Sequence, residues 1–330
     1  MLEVNDFNGL DEIIRAGRRF LITSHENPDG DALGSMFGLG FALEKIGKEV
    51  VFFNSDGVPD HLKFLPHQDR VCSDIAELTG SFDATFILDC PDLERVGGGF
   101  CSGMDRGRLG STVIIDHHDT AMNAADVNIL RSDAGATGEI VFSILRHLGI
   151  EPDRDIATCL YVAIASDTGS FRFSNTSARI IRIAADLVDL GADPSEIYQA
   201  IYENEPLKKI VLLSLVLPTL EVIDGGRIAS VVVERAMFKK TGTGKADTEG
   251  FVNIPRTIRG VEVAVLFRED DLDTWKVSMR SQGRVNVARL AERFGGGGHE
   301  RAAGCTMEGS LPNVKERLFA TLSEAFPWEE

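Results

Sequence analysis

Apolar strand-like runs alternating with helical segments predict an α/β chain built on a parallel sheet. Three observations carry this. RFLITSH, EVVFFNS, FDATFILDC and STVIIDHHDT read as strands, and FDATFILDC is apolar almost throughout, as strands buried on both faces are. Helical patterns lie between and after them. Around residues 190–215 the pattern changes to alternating, half-buried strands. The expected architecture has residues 1–190 as a parallel-sheet domain with helices on both faces, 191–220 as a helical linker, and 221–330 as a smaller α/β domain of mixed sheet.

In chain order, residues 3–17 read as a helix, RFLITSH as the first strand, and residues 33–46 as the helix that follows it. The other three strands come next. TGEIVFSILRHLG has apolar residues three and four apart and stops at Gly149; DIATCLYVAIASDTG is a mainly apolar helix that stops at an aspartate; SARIIRIAADLVDLGAD is a further helix. PSEIYQAIYENEPLKKIVLLSLVLPTLEV reads as helical linkage broken by Pro206 and Pro218. RIASVVVE, VEVAVLFRE and TWKVSMRS alternate like half-buried strands, and VNVARLAERFGGGGHERAAG reads as helix, glycine loop and helix. Right-handed crossovers bring such parallel strands together with their C-terminal ends on one edge, where sites of open α/β sheets lie.

Composition narrows the function classes. The 330 residues are 43% hydrophobic and 26% charged, values of an ordinary globular chain. No apolar run approaches the ~20 residues of a membrane helix, and the acidic N-terminal stretch has no signal-peptide pattern. Cys72, Cys90, Cys101, Cys159 and Cys305 are scattered and form no CxxC pair, which argues against a disulfide framework or zinc ribbon and for a cytoplasmic protein. The net charge of −17 opposes binding of long duplex nucleic acid. Its distribution is uneven: residues 1–190 hold 16 basic and 30 acidic side chains, whereas 251–304 hold 9 and 7. That asymmetry suits cations in the first half and substrate phosphates in the second.

Two common ligand motifs are excluded. A calcium loop starting at Asp29 would have Leu33 at its fifth position and Gly40 at its twelfth, where ligands belong. The candidate phosphate loop TGTGKAD has Lys239 in place of its first glycine and Ala246 in place of Ser or Thr. GSMFGLG lacks dinucleotide-binding spacing.

Ligand-type side chains nevertheless collect at the ends of apolar segments: His25, Asp29 and Asp31 in SHENPDGDALGS; Asp89 after ATFIL; Asp116, His117 and His118 after TVII; Asp167 after YVAIAS. Each alone is an ordinary turn or capping residue. Converging carboxylates, however, cannot all stay ionised in a buried site without a compensating cation. Mixed imidazole and carboxylate ligands suit Mn²⁺, with Mg²⁺ or Co²⁺ as alternatives. Two such ions ~3.5–4 Å apart fit displacement at phosphorus.

SHENPDGDALGS, ILDCPD, IIDHHDT and IASDTGSFRF resemble, in order, motifs I to IV of the DHH phosphoesterase superfamily, and GGGGHERAAG resembles the substrate motif of the DHH-associated domain. The two-domain chain is most similar to the branch of nano-RNases (oligoribonucleases) and pAp phosphatases. The resemblance implies that His25, Asp29 and Asp89 hold one metal. Asp31, Asp89, His117 and Asp167 would hold the second, with Asp89 shared. Asp116 would orient His117, and His118 would face the substrate as phosphate ligand or general acid. In the second domain, Arg280 and Ser281 would bind the terminal phosphate and ribose, beside the backbone of Gly296, Gly297 and Gly298 and the ring of His299. Arg256, Arg259 and Arg301 are weaker candidates, each reading more as surface than as site.

The implied activity is hydrolysis of short oligoribonucleotides to mononucleotides, or removal of the 3′-phosphate of pAp, by water activated between two metals. Linear or cyclic dinucleotides and other phosphoanhydrides are the alternative substrates, and a nucleotide-sensing protein without turnover is the alternative class. The expected partners are short RNA or nucleotide bisphosphates, with no membrane, and a homodimer is implied by resemblance.

Overall fold

The computed structural model describes residues 7, 9–91, 93–97, 99–118 and 124–325. The start of the expected N-terminal helix, Asp92 of ILDCPD, and Asp119 and Thr120 of IIDHHDT lie outside them. The chain divides into two compact units, residues 1–204 and 205–330.

In the first unit, α1 (Leu10–Ala16) precedes β1 (Arg19–Ser24), α2 (Gly30–Lys45), β2 (Glu49–Phe53), β3 (Val71–Cys72) and β4 (Ala84–Leu88). Two single-turn helices follow, α3 (Phe100–Gly103) and α4 (Arg106–Leu109), then β5 (Ser111–Asp116), β6 (Val127–Leu130), α5 (Thr137–Leu148), α6 (Arg154–Asp167), α7 (Ala178–Asp189) and α8 (Pro194–Tyr202). The six strands lie in the order β3-β2-β1-β4-β5-β6, and every neighbouring pair is parallel. The chain works outward from β1 to β3, returns to β4 beside β1, and works outward again. The sheet therefore has its topological switch point between β1 and β4, where a crevice opens at the strands' C-terminal ends.

Side chains alternate between two cores, as the strand period of two requires. Phe20, Ile22, Phe86 and Ile115 face the core shared with α2, α5 and α6. Leu21, Phe53, Ile87 and Ile114 face a smaller core with Phe100 and Leu109. Residues Gly30 to Leu43 of α2 are all buried, so this helix is packed on every side. Its fit depends on Gly34, where a Cβ would lie 2.4 Å from the Cys159 carbonyl oxygen of α6. β3 and β6, of two and four residues, carry too few side chains to show a period, and the sequence reading lacks them.

The second unit contains α9 (Leu207–Val216), β7 (Glu221–Ile223), β8 (Ile228–Val233), α10 (Arg235–Thr241), α11 (Asn253–Arg256), β9 (Val263–Asp271), β10 (Thr274–Ser281), α12 (Val287–Glu292), β11 (Gly297–His299), β12 (Ala302–Glu308) and α13 (Leu311–Ala325). Its sheet runs β11-β12-β10-β9-β8-β7. Only β8 and β9 pair in parallel, so the sheet is mixed. The segment expected as a linker is shared out: Ile197 of α8 packs in the first unit's core, Leu212 and Val216 of α9 in the second's.

One expectation is corrected here. GGGGHERAAG is not a loop between two helices: β11 and β12 form an antiparallel hairpin pairing Gly298 with Ala303 and His299 with Ala302. The glycines serve close strand approach. A Cβ on Gly296 would lie 2.2 Å from the Gly304 carbonyl oxygen. Alanines that favour a helix in isolation are overridden by this pairing, since propensity yields to tertiary context. Among the described residues, no helix is long and apolar enough to cross a membrane.

Candidate metal centre

The centre sits at the switch point. His25 follows β1, Asp89 follows β4, and Asp116 ends β5, leading into His117 and His118. Asp29 and Asp31 stand at the start of α2: Asp29 is its N-cap, accepting from the amides of Asp31 and Ala32 at 3.0 Å each. Capping occupies Oδ1 and leaves Oδ2. Asp167 ends α6. Asp89 has a positive φ of 52°, a conformation costly for most residues but better tolerated by aspartate.

These side chains form interlocking groups. His25, Asp29 and Asp89 each bring a ligand atom within 4.8 Å of the others, as do Asp31, His117 and Asp167, and Asp89, His117 and His118. His117 Nε2 lies 3.7 Å from Asp31 Oδ2, 3.5 Å from Asp89 Oδ1 and 3.7 Å from Asp167 Oδ2. His25 Nε2 lies 3.5 Å from Asp89 Oδ2. These separations are long for direct hydrogen bonds but suit donors arranged around a common cation. Asp89 thus shows one oxygen to each histidine.

The opposite ring nitrogens are anchored on backbone. His25 Nδ1 lies 2.7 Å from the Glu26 carbonyl, and His117 Nδ1 lies 3.3 Å from the Ala134 carbonyl. With Nδ1 donating, Nε2 is the lone-pair nitrogen turned toward the carboxylates. This is how metal-binding histidines are usually held.

The electrostatics also fit divalent ions. Asp31 is fully buried, and burial, with the charges of Asp89, Asp167 and Asp29, holds its carboxyl well above the usual range. Burial and the Asp89 charge raise Asp29. Burial pushes Asp167 up to about 6, with Asp89 and Asp29 adding to the effect. For Asp89, burial acts in the same sense but is outweighed by the surrounding imidazoles of His25, His118 and His117, leaving it below the usual value. Carboxylates so crowded are strained as anions without positive charge among them. Both the donor set and its crowding fit two divalent cations.

Asp116 needs a correction. It is fully buried, and its Oδ1 accepts from the backbone amides of His117 and His118 at 2.7 and 3.2 Å. The ring it holds is that of His118, Nδ1 to Oδ1 at 2.7 Å, not that of His117. Successive side chains leaving a strand point to opposite sides, so Asp116 shares a side with residue 118. This hydrogen bond raises His118 to about 9, against the opposing effect of burial. With Nδ1 held by Asp116, the partly exposed ring of His118 is placed to donate to an anion when protonated.

Sequence reasoning missed the residues that brace the centre. Asp31 Oδ2 accepts from the Thr137 amide at 2.6 Å, and its Oδ1 accepts from the Gly138 amide at 2.9 Å and the Ser35 hydroxyl at 3.0 Å. The Asn54 side chain donates to the His25 carbonyl at 2.9 Å, and Asn175 donates to Asp167 Oδ2 at 3.2 Å. One signal was available: α5 starts at Thr137 after Ala136, which offers no side-chain cap, so its first amides need an acceptor from elsewhere.

In the second unit, Arg280 on β10 is half-buried, and its guanidinium is lowered by burial and by the nearby charge of Arg256. Nη1 donates to the Met279 carbonyl at 3.0 Å. Arg256, a weaker candidate from the sequence, is thus an electrostatic neighbour of Arg280. Ser281 ends β10. Its buried hydroxyl donates to Glu262 Oε1 at 3.0 Å and accepts from the Gly283 amide at 2.9 Å, so it shapes the turn after β10. Gly297, Gly298 and His299 are exposed along β11.

Fold and centre define a class: α/β proteins that gather histidines and carboxylates for divalent cations at the switch point of a parallel sheet. The chain belongs to the DHH family. The DHH family N-terminal domain matches residues 19–164, and the DHHA1 domain matches residues 227–326. The chain is 32% identical over 305 residues to the bifunctional oligoribonuclease and PAP phosphatase NrnA of Thermus thermophilus, covering 92% of this chain and 89% of that one. It is 27% identical over 292 residues to the protein of the same name from Bacillus subtilis, covering 87% and 88%. The crystal structure of an exopolyphosphatase-related protein from Bacteroides fragilis matches with a TM-score of 0.86 at 27% identity, over 98% of this chain and 96% of that one.

Proposed function

We propose that the protein is a divalent-metal-dependent phosphohydrolase that cleaves short oligoribonucleotides to mononucleotides and removes the 3′-phosphate of pAp. The observation that carries this is the shared carboxylate: Asp89 directs Oδ2 toward His25 and Oδ1 toward His117. His25, Asp29 and Asp89 are the ligands for one ion, and Asp31, Asp89, His117 and Asp167 for the other. Two bound ions would clamp phosphoryl oxygens and lower the pKa of water near neutrality. Mixed nitrogen and oxygen donors make Mn²⁺ the preferred metal in this reading.

The chain's own residues do the rest. Backbone carbonyls keep Nε2 of His25 and His117 turned inward. Asp116 keeps a proton on Nδ1 of His118 and stabilises the charged ring, which can then donate to a phosphate oxygen or a departing alkoxide. Arg280 and Arg256 supply positive charge for a terminal phosphate; the guanidinium of Arg280 suits bidentate contact. A short substrate fits the strongly acidic chain, because it needs no extended basic track. Cys72, Cys159 and Cys305 are free thiols, in keeping with a reducing, cytoplasmic setting.

A panel of two- to five-nucleotide RNAs, pAp, cyclic dinucleotides, pyrophosphate and polyphosphate, assayed with and without Mn²⁺, tests this. Metal-dependent release of mononucleotides or of phosphate from pAp is expected. Exclusive turnover of polyphosphate or cyclic dinucleotides would redirect the substrate assignment, and no turnover at all would favour a nucleotide sensor.

A further inference from the structure

Thr137 is fully buried at the first position of α5 and touches two of the proposed ligands at once. Its amide donates to Asp31 Oδ2 at 2.6 Å, and its hydroxyl lies 3.1 Å from Asp89 Oδ1. The Thr137 hydroxyl donates to this carboxyl oxygen. The same Oδ1 faces His117 Nε2 at 3.5 Å. The Thr137 hydroxyl therefore occupies one lone-pair direction of the shared carboxylate and leaves another for the site.

The helix start is built to deliver this contact. Ala136 gives α5 no side-chain cap, and Asp31 takes that place by accepting from the amides of Thr137 and Gly138. Close approach requires Gly138, where a Cβ would lie 2.6 Å from the Ala163 Cβ of α6. On the other side, buried Glu139 accepts from the Gly135 amide at 2.9 Å and pairs with Arg179. The first turn of α5 is thus pinned between the centre and the half-buried Arg179–Glu139 ion pair.

We infer that Thr137 is a positioning residue: its hydroxyl sets the orientation of Asp89, and so controls how tightly the shared carboxylate engages cations. This rests on reading the centre as a metal site. Partners of this kind typically change metal affinity or activity about 10–100-fold when removed. Thr137→Val keeps the shape and the amide but removes the hydroxyl; Thr137→Ser keeps the hydroxyl and removes the methyl.

The test is calorimetric titration of the metal-free full chain with Mn²⁺, with thermal melting of the metal-free protein alongside and kcat and KM at saturating metal. Thr137→Val is expected to bind Mn²⁺ about tenfold or more weaker and to lose kcat with KM little changed, while Thr137→Ser stays within about threefold of wild type. Unchanged Mn²⁺ affinity in Thr137→Val overturns the inference, and so does an equal loss in Thr137→Ser, which would assign the effect to packing. If Thr137→Val fails to melt cooperatively, the serine variant decides alone: wild-type affinity supports the hydroxyl's role and a tenfold loss contradicts it. Wild-type protein that takes up no Mn²⁺ overturns the metal reading together with this one.

Discussion

His118 stands between binding and proton transfer. Asp116 holds its Nδ1 at 2.7 Å, and the ring comes within 3.7 Å of Asp89 through that same nitrogen. Because Nδ1 is committed to Asp116, His118 is proposed to serve the substrate rather than a metal. His118→Asn should lower kcat by roughly 10²–10⁴-fold, the usual range for a lost acid or base, with metal content unchanged by elemental analysis; loss of an ion would make His118 a ligand. At this scale the sequence was informative about residue type and poor about partners. A histidine or aspartate at the end of an apolar run is visible by inspection. That Asp116 reaches the second histidine and not the first follows from the direction in which side chains leave β5. That Ser281 is taken by Glu262 depends on a partner 19 residues away, which no local pattern announces.

The helices of the first unit explain how separate segments meet. α2 carries Asp31, α6 carries Asp167, and the first amides of α5 donate to Asp31, which caps that helix. Their closeness depends on small residues, most of all Gly34 against the Cys159 carbonyl. Gly34→Ala forces α2 and α6 apart and should destabilise the protein by about 1–3 kcal/mol, as overpacking does. The measurement is a thermal melt; an unchanged Tm would show that the contact is slack. Long strands with a clear apolar run were legible, because burial on both faces leaves a composition that periodicity can find. β3, β6 and β7 were not, being too short. The hairpin of β11 and β12 was misread because its glycines and alanines carry no strand propensity and gain their conformation from pairing with β10.

At the scale of the whole molecule, the two units carry different chemistry. The first concentrates acidic ligands on a parallel sheet. The second presents Arg280 on a mixed sheet and Arg256 at the end of α11, in a region with more basic than acidic side chains. Arg280→Ala should therefore raise KM or lower kcat/KM for short RNA and pAp while leaving metal content intact; loss of metal would contradict this division of labour. Overall class and order of domains were legible in the alternation of strands and helices, while the partition of the segment 191–220 between two cores was not, since it depends on which sheet each helix covers. The central claim is that Asp89 is shared by two ions that drive hydrolysis. The most direct measurement is metal stoichiometry and Mn²⁺-dependent hydrolysis of a dinucleotide RNA and of pAp by wild type and Asp89→Ala. Two ions per wild-type chain and turnover of at least one substrate are expected. In Asp89→Ala, impaired binding of both ions is expected, with a fall in activity beyond the about 10–100-fold of an outer contact. Full activity or two retained ions in Asp89→Ala would contradict the sharing of Asp89.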